Sequence, residues 1–230
     1  MMADLPVRTR AITFDAGQTL VELDTAMLSR RLAERGVVAR QEALEAALPE
    51  AWRRHEEAVA AGARHPWKLL MAAIVADSGG EHLVDWLWDE QPRANLWRRP
   101  VSGMRELVEE LHGRGVPMAV ISNSEGRLAP LLEELGWARW FVAIADSGAL
   151  GFAKPDPEIF AWTTDRLGVA ASATLHVGDS RESDVEGALA AGMRAVWFGP
   201  AARDLGDERV VACADAAALR QAIASIAPAR

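Results

Sequence analysis

Six side chains that could act together on a phosphoryl group are spread along this sequence. They supply carboxylates, a hydroxyl, an amide and an amine, at Asp15, Ser122, Asn123, Lys154, Asp179 and Asp184. Three carboxylates that converge on one crevice repel one another unless a cation joins them, and oxygen-only ligands favour Mg²⁺. A divalent cation, a hydroxyl and an amine can hold a phosphoryl group and neutralise its charge as it transfers. The residue types therefore predict a phosphoryl-transfer site.

Short apolar runs close to these side chains are typical of buried strands in a parallel sheet. The predicted strands are Ala11 to Phe14, Pro117 to Ile121, Ala173 to Val177 and Arg194 to Phe198. The amphipathic helices predicted between and after them are Glu125 to Leu135, Pro157 to Leu167 and Glu182 to Ala191. The repeated order of strand, helix and strand predicts an α/β doubly wound fold, in which loops at the carboxyl ends of the strands hold the ligand.

The stretch from Asp24 to Gln91 shows only helical periodicity, which predicts a helical insertion. Pro49 is expected to kink or break the second helix of this insertion. Five of the nine tryptophans lie in this region or at its exit, namely Trp52, Trp67, Trp86, Trp88 and Trp97. We interpret them mainly as packing between helices. The predicted domains are an α/β core of residues 1–22 and 96–230 and a helical domain of residues 23–95.

Composition narrows the classes of function. The chain of 230 residues has 25 Lys and Arg against 33 Asp and Glu, a net charge of −8, which argues against a nucleic-acid partner. The longest apolar run, Leu69 to Ala76, is far short of the roughly 18 residues of a membrane span. No apolar stretch near the N-terminus resembles a secretory signal, and the lone Cys213 fits a reducing compartment. We expect a cytoplasmic protein, a monomer or homodimer, that acts on a small molecule.

Four segments, in order along the chain, resemble the motifs of the haloacid dehalogenase superfamily of hydrolases. They are Ile12 to Leu20, Val120 to Ser124, Lys154 to Phe160 and His176 to Asp184. The resemblance implies a Rossmann-like core with an inserted α-helical cap. It also implies that Asp15 is a nucleophile that becomes a phosphoaspartate and that Ser122 binds the phosphoryl oxygens. Lys154 would neutralise Asp15 and the phosphate, and Asn123 joins Ser122 and Lys154 in the substrate-binding set.

One position departs from the phosphatases of this superfamily, whose first motif has a second Asp that protonates the leaving group and later deprotonates water. Here that position is Gly17, followed by Gln18. The backbone carbonyl of Gly17 can still bind Mg²⁺, which the resemblance also assigns to Asp15, Asp179 and Asp184. Loss of general acid–base catalysis typically costs about 10²- to 10⁴-fold in rate. Hydrolysis of the phosphoaspartate is expected to suffer most, because that step needs a base.

Three functions are consistent with these residues. The first is a Mg²⁺-dependent phosphatase for a small phosphorylated metabolite, either slow or rescued by another group. The rescuing groups considered are Gln18, His55, Glu56 and His65. The second is a phosphonate or other C–X bond hydrolase of the same superfamily; Lys68 could form the Schiff base of phosphonate cleavage, whereas Asp179 and Asp184 argue against a dehalogenase. The third is a catalytically impaired protein that binds phosphate or a partner.

Overall fold

The chain forms two compact units. The smaller unit is inserted into the sequence of the larger one, so the chain passes between them twice. The computed structural model describes residues 9–63 and 66–224, so His65 lies outside the described residues. The chain divides after Glu22 and again after Arg99. We call residues 23–99 the helical unit and the remainder the core unit.

From the strand Trp97–Pro100 onward, each strand of the described chain except Arg194–Phe198 is followed by a helix. The strands are β1 (Ala11–Phe14), β2 (Val21–Leu23), β3 (Trp97–Pro100), β4 (Met118–Ser122), β5 (Ala143–Asp146), β6 (Thr174–Gly178), β7 (Arg194–Phe198) and β8 (Val210–Cys213). The helices are α1 (Thr25–Ala33), α2 (Gln41–Ala60), α3 (Trp67–Val75), α4 (Val84–Glu90), α5 (Met104–Gly113), α6 (Leu128–Glu134), α7 (Ser147–Leu150), α8 (Pro157–Leu167), α9 (Gly187–Ala190) and α10 (Ala216–Ala222). A π-helical turn, Arg181–Glu186, leads into α9.

Six strands of the described chain form one parallel sheet in the order β5-β4-β1-β6-β7-β8, and β2 pairs separately with β3. The predicted α/β doubly wound core is therefore confirmed. The chain proceeds outward from β1 in one direction through β4 and β5, and in the other through β6, β7 and β8. In such sheets the ligand crevice lies where the strand order reverses, at the carboxyl ends of the central strands.

Two hydrophobic layers cover the two faces of this sheet. Ile12 and Phe14 belong to the layer that includes the buried sides of α5, α6 and α10. Ile121 and Trp197 belong to the opposite layer, with α8 and α9. Because both faces are covered, the central strands are buried along their whole length, as is typical of parallel sheets. This packing fixes the strand ends from which the site residues project.

The helical unit has a hydrophobic core of its own. Its buried side chains come from all four of its α-helices, α1 to α4. Of the kink or break expected at Pro49, the break is wrong, since α2 continues through this exposed proline from Gln41 to Ala60, and the kink stays a prediction. The Trp67 ring is buried and lies 5.3 Å from the ring of Trp88 and 6.1 Å from that of Trp97, so these tryptophans pack between elements of the unit. None of the helices in the described ranges is long and apolar enough to cross a membrane.

Candidate active site

Three carboxylates meet at the carboxyl ends of β1 and β6. Asp15 directly follows β1, Asp179 directly follows β6, and Asp184 lies in the π-helical turn. Each offers an oxygen atom, and these atoms all lie within 4.8 Å of one another. Asp15 and Asp184 are buried, whereas Asp179 is half-buried. The structure thus brings together the three acids that the sequence predicted to share one crevice.

A single lysine bridges two of these acids. The Nζ of Lys154 donates to Asp15 Oδ1 at 2.5 Å and to Asp184 Oδ1 at 2.6 Å. The Lys154 side chain is only 3 % exposed, so water screens these charges little. Lys154 lies in the loop between α7 and α8 and is followed by a cis peptide bond to Pro155. Lys154, the lysine of the predicted site, is therefore in direct contact with Asp15, the candidate nucleophile.

Asn123 holds the loop that carries this lysine. Its Oδ1 accepts from the Lys154 backbone N–H at 2.8 Å, and its Nδ2 donates to the Lys154 carbonyl at 2.9 Å. The side-chain amide of Asn123 is thus hydrogen-bonded to both backbone groups of Lys154. This arrangement positions Lys154, and the substrate-binding role of Asn123 stays a prediction. Ser122, the last residue of β4, is buried beside β1, and Gly17 is half-buried in the loop after Asp15.

Two buried polar residues that sequence reasoning missed support Asp184. The His176 Nε2 lies 3.0 Å from Asp184 Oδ1, and the His176 Nδ1 lies 2.8 Å from the Thr13 hydroxyl. A carboxylate can only accept, so Nε2 is the ring nitrogen that donates. Thr13 and His176 are fully buried. Their polar types inside the otherwise apolar runs of β1 and β6 were the signal that could have revealed them.

Gly178 makes room for Asp184. A Cβ atom at this position would lie 2.2 Å from Asp184 Cγ and 2.4 Å from its Oδ2, far inside van der Waals contact. The carboxylate can therefore fold back over the end of β6, where its Oδ2 accepts from the Ser180 N–H at 3.0 Å. The glycine at this position in the sequence is explained by the close approach of the acid.

Another missed residue, Asp146, shapes the loop after Ser122. Its Oδ1 accepts from the backbone N–H groups of Gly126 and Gly148, at 2.9 and 3.0 Å, and its Oδ2 accepts from Leu128 at 2.9 Å. An added Cβ on Gly148 would lie 2.5 Å from the Gly126 nitrogen, so these two segments pack backbone to backbone. Asp146 ends β5, a strand that the sequence analysis did not predict.

The electrostatics of the cluster follow from burial and mutual repulsion. Burial raises the pKa of Asp15, and the charge of Lys154 offsets only part of this effect. Burial, together with the negative charges of Asp15 and Asp184, raises the pKa of Asp179 well above its ordinary value. Burial also disfavours ionisation of Asp184, but the charge of Lys154 and the hydrogen bond from His176 outweigh it and lower the pKa of Asp184. For Lys154, the two acids outweigh burial and raise the pKa of its amine.

The donor set fits a hard divalent cation. When fully ionised, the three carboxylates and the ammonium leave two negative charges in a largely buried site, and all the candidate ligand atoms are oxygens. Mg²⁺ prefers such ligands. Among the described residues, Asp15, Asp179 and Asp184 form a group that could hold it, and the carbonyl of Gly17 stays a predicted fourth ligand.

The cap lysine considered for Schiff-base chemistry has a different environment. Lys68 lies in α3 of the helical unit, where its Nζ donates to Asp85 Oδ1 at 2.6 Å. The Lys68 side chain is 52 % exposed, and that of Asp85 is more exposed still. Such a solvated ion pair is an ordinary surface feature, in contrast to the buried amines that form Schiff bases.

The doubly wound core thus carries a buried site that combines three acids with a lysine. A model of the haloacid dehalogenase-like hydrolase family matches residues 9–192. The chain belongs to this family, as its four motifs had indicated.

Relatives and solved structures agree with this assignment. The chain is 31 % identical to a phosphoglycolate phosphatase of Pseudomonas fluorescens over 196 residues. This alignment covers 81 % of this chain and 68 % of that protein. The fold is similar to that of the hydrolase YfnB of Bacillus subtilis bound to magnesium, with a TM-score of 0.69, 21 % identity and coverage of 93 % and 98 % of the two chains. It also resembles a 2-haloacid dehalogenase of Pseudomonas syringae, with a TM-score of 0.60, 24 % identity and coverage of 94 % and 98 %. Since one fold serves both kinds of enzyme, the site must decide the reaction.

Proposed function

We propose that this protein is a Mg²⁺-dependent phosphatase that hydrolyses a small phosphorylated metabolite through a phosphoaspartate on Asp15. The observation that carries the proposal is the buried Lys154 bridge to Asp15 within a cluster of three acids. A dehalogenase needs no cation to displace a halide, so the three acids favour phosphoryl transfer. The phosphatase relative supports the same choice.

Each residue of the site has a distinct role in this reaction. An Asp15 oxygen attacks phosphorus, and the ester P–O bond breaks with its electron pair on the leaving oxygen, which takes a proton from solvent water. A water molecule then attacks the phosphorus of the phosphoaspartate, the P–O bond to Asp15 breaks, a proton passes to solvent, and inorganic phosphate leaves. Lys154 neutralises negative charge on Asp15 and on the phosphoryl oxygens, and Ser122 donates its hydroxyl hydrogen to one of these oxygens. A Mg²⁺ ion bound among the acids would supply further positive charge at the phosphoryl oxygens.

The glycine at position 17 determines which step is slow. With no carboxyl group there, the leaving alcohol receives no proton from this position and the attacking water loses none to it. An aryl oxide is a good leaving group and can depart unprotonated, so the first step is less affected than the second. We propose that the phosphoaspartate accumulates during turnover of an aryl phosphate.

The competing functions have weaker support. Phosphonate cleavage through Lys68 would require an amine in the site, whereas Lys68 forms an exposed ion pair with Asp85. A protein that only binds phosphate has no need for a buried lysine in direct contact with Asp15. We also propose that the helical region of residues 23–95 acts as a cap domain, and that the protein is a cytoplasmic monomer or homodimer.

The proposal is tested with an aryl phosphate as substrate, in excess Mg²⁺ or in a chelator. We expect hydrolysis only with Mg²⁺, and its loss in Asp15→Asn. The control variant is Asp165→Asn, which makes the same change at an exposed position of α8. Equal rates with the chelator would overturn the metal assignment, and an active Asp15→Asn variant would overturn the nucleophile.

A further inference from the structure

We propose that Trp197 is a positioning residue that holds Asp179 and Asp184 in the arrangement that binds Mg²⁺; this inference rests on the metal-dependent function proposed above. Trp197 is buried in β7, in register with Gly178 of β6. Its indole Nε1–H donates to the backbone carbonyl of Asp179 at 2.9 Å. Asp179 lies one residue beyond the end of β6, and the indole bonds its carbonyl there in place of a neighbouring strand.

The peptide group between Asp179 and Ser180 is bonded at both ends. Its carbonyl accepts from Trp197, and its N–H, on Ser180, donates to Asp184 Oδ2 at 3.0 Å. Rotation of this planar group would break both bonds at once. Trp197 therefore fixes the direction of Asp179 directly and the position of Asp184 through Ser180.

The hydrogen bond from Trp197 to Asp179 acts against electrostatic repulsion among the three carboxylates. Asp179 is the half-buried member of the cluster, and the negative charges of Asp15 and Asp184 repel its carboxylate. The repulsion favours backbone and side-chain conformations that move Asp179 toward water, where it no longer faces the other two acids. A donor held by the hydrophobic layer of β7 resists that movement. Groups behind the direct ligands of a metal commonly tune its affinity in this way.

The Trp197 ring is itself well fixed. It is only 4 % exposed and belongs to the same hydrophobic layer as Ile121 and Ala195. The guanidinium of Arg203 lies 4.9 Å from the ring centroid, within the range of a cation–π contact. The indole N–H therefore has a defined direction, which a positioning role requires.

The chain contains a matched control for the loss of this donor. Trp137 is also fully buried in the core unit, but within the described residues its Nε1 has no hydrogen-bond partner. Trp197→Phe and Trp137→Phe make the same change in ring size, yet only the first removes a hydrogen bond. A second variant carries benzothienylalanine at position 197, which replaces the indole N–H by sulfur and keeps the two-ring shape if the phenylalanine variant folds poorly.

The experiment measures Mg²⁺ binding by calorimetry without substrate, and hydrogen exchange of the Ser180 amide by NMR in the metal-free protein. We expect both variants at position 197 to bind Mg²⁺ about 3- to 10-fold more weakly, as for the loss of one neutral hydrogen bond. Exchange of the Ser180 amide should accelerate in the same variants. Trp137→Phe should leave the affinity and this exchange rate unchanged.

The outcomes separate this inference from the proposed function. Unchanged Mg²⁺ affinity and unchanged Ser180 exchange in the variants at position 197 would overturn the role of Trp197. An equal change in Trp137→Phe would also overturn it, because the effect would then come from ring size alone. If the wild-type protein bound no Mg²⁺, the proposed function would fail, and faster Ser180 exchange in the metal-free 197 variants would still support the positioning of Asp179 and Asp184 by Trp197.

Discussion

Gly178→Ala is expected to damage the site by adding one methyl group and removing no charge. The added Cβ would lie 2.2 Å from Asp184 Cγ, whereas ordinary contacts begin near 3.4 Å, so the carboxylate must withdraw by about 1 Å. Its bonds to Lys154, His176 and Ser180, at 2.6, 3.0 and 3.0 Å, cannot all survive this shift. A displacement of this size in a catalytic group can cost about 10²-fold in rate.

The variant should also be less stable. Loss of one hydrogen bond to a charged group costs about 1.5–3 kcal/mol, and we expect the free energy of unfolding to fall by about 2–3 kcal/mol. The assays are steady-state hydrolysis of an aryl phosphate and urea unfolding. Gly113→Ala is the control, because a Cβ there meets nothing within 4 Å and the residue ends α5. The control should keep full activity. Wild-type activity and stability in Gly178→Ala would show that the position of Asp184 does not matter.

Three further predictions concern proton transfer, metal binding and the single thiol. Gly17→Asp should raise turnover if the missing acid limits the rate, and unchanged steady-state kinetics would show that another group already transfers the proton. Because the pKa values of Asp15 and Asp179 are raised by burial, the metal-free folded state binds extra protons and loses stability as pH rises above the ordinary carboxyl range. The increase in Tm on adding Mg²⁺ should therefore grow with pH over that range, and a decrease would contradict the shifts. Burial, with the nearby negative charge of Asp215, raises the pKa of Cys213 to about 11, so a thiol reagent should modify it far more slowly in the native protein than in urea.

The central strands were predicted from the sequence, whereas the two edge strands were missed. The buried strand β1 has the predicted bounds, Ala11–Phe14, and β7 has the predicted Arg194–Phe198, because both faces of a central parallel strand require apolar residues. The edge strands β5, Ala143–Asp146, and β8, Val210–Cys213, also lie in apolar runs, but they are short and partly exposed, and the sequence analysis predicted no strand from them. Their existence depends on the neighbours with which they pair.

Local periodicity also failed where a functional side chain determines the backbone. The sequence predicted one helix over Glu182 to Ala191, but the structure has a π-helical turn followed by the short α9. Asp184 lies in this turn, where its carboxylate contacts Lys154 and Ser180. Wide turns of this kind occur often at functional sites. The pattern of apolar residues contains no information about such a contact.

Residue types were sufficient to find the charged groups but not the residues that hold them. Asp15, Lys154 and Asp184 were identified from their chemistry and their places after apolar runs. The supporting contacts join residues that are distant in sequence, such as Thr13 and His176, which are 163 positions apart. Only the packed sheet brings these pairs together, so a polar residue inside an apolar run can mark each member but cannot identify its partner.

The most direct test of the proposed function is to look for the phosphorylated protein itself. The protein is mixed with Mg²⁺ and an aryl phosphate, the reaction is stopped in acid during turnover, and the intact mass is measured and mapped by peptide. We predict the addition of one phosphoryl group, located on Asp15, and no addition in Asp15→Asn or in the presence of a chelator. The proposed function would be contradicted if the wild-type protein turned over substrate with no phosphorylated protein present. A phosphoryl group on another residue would also contradict it.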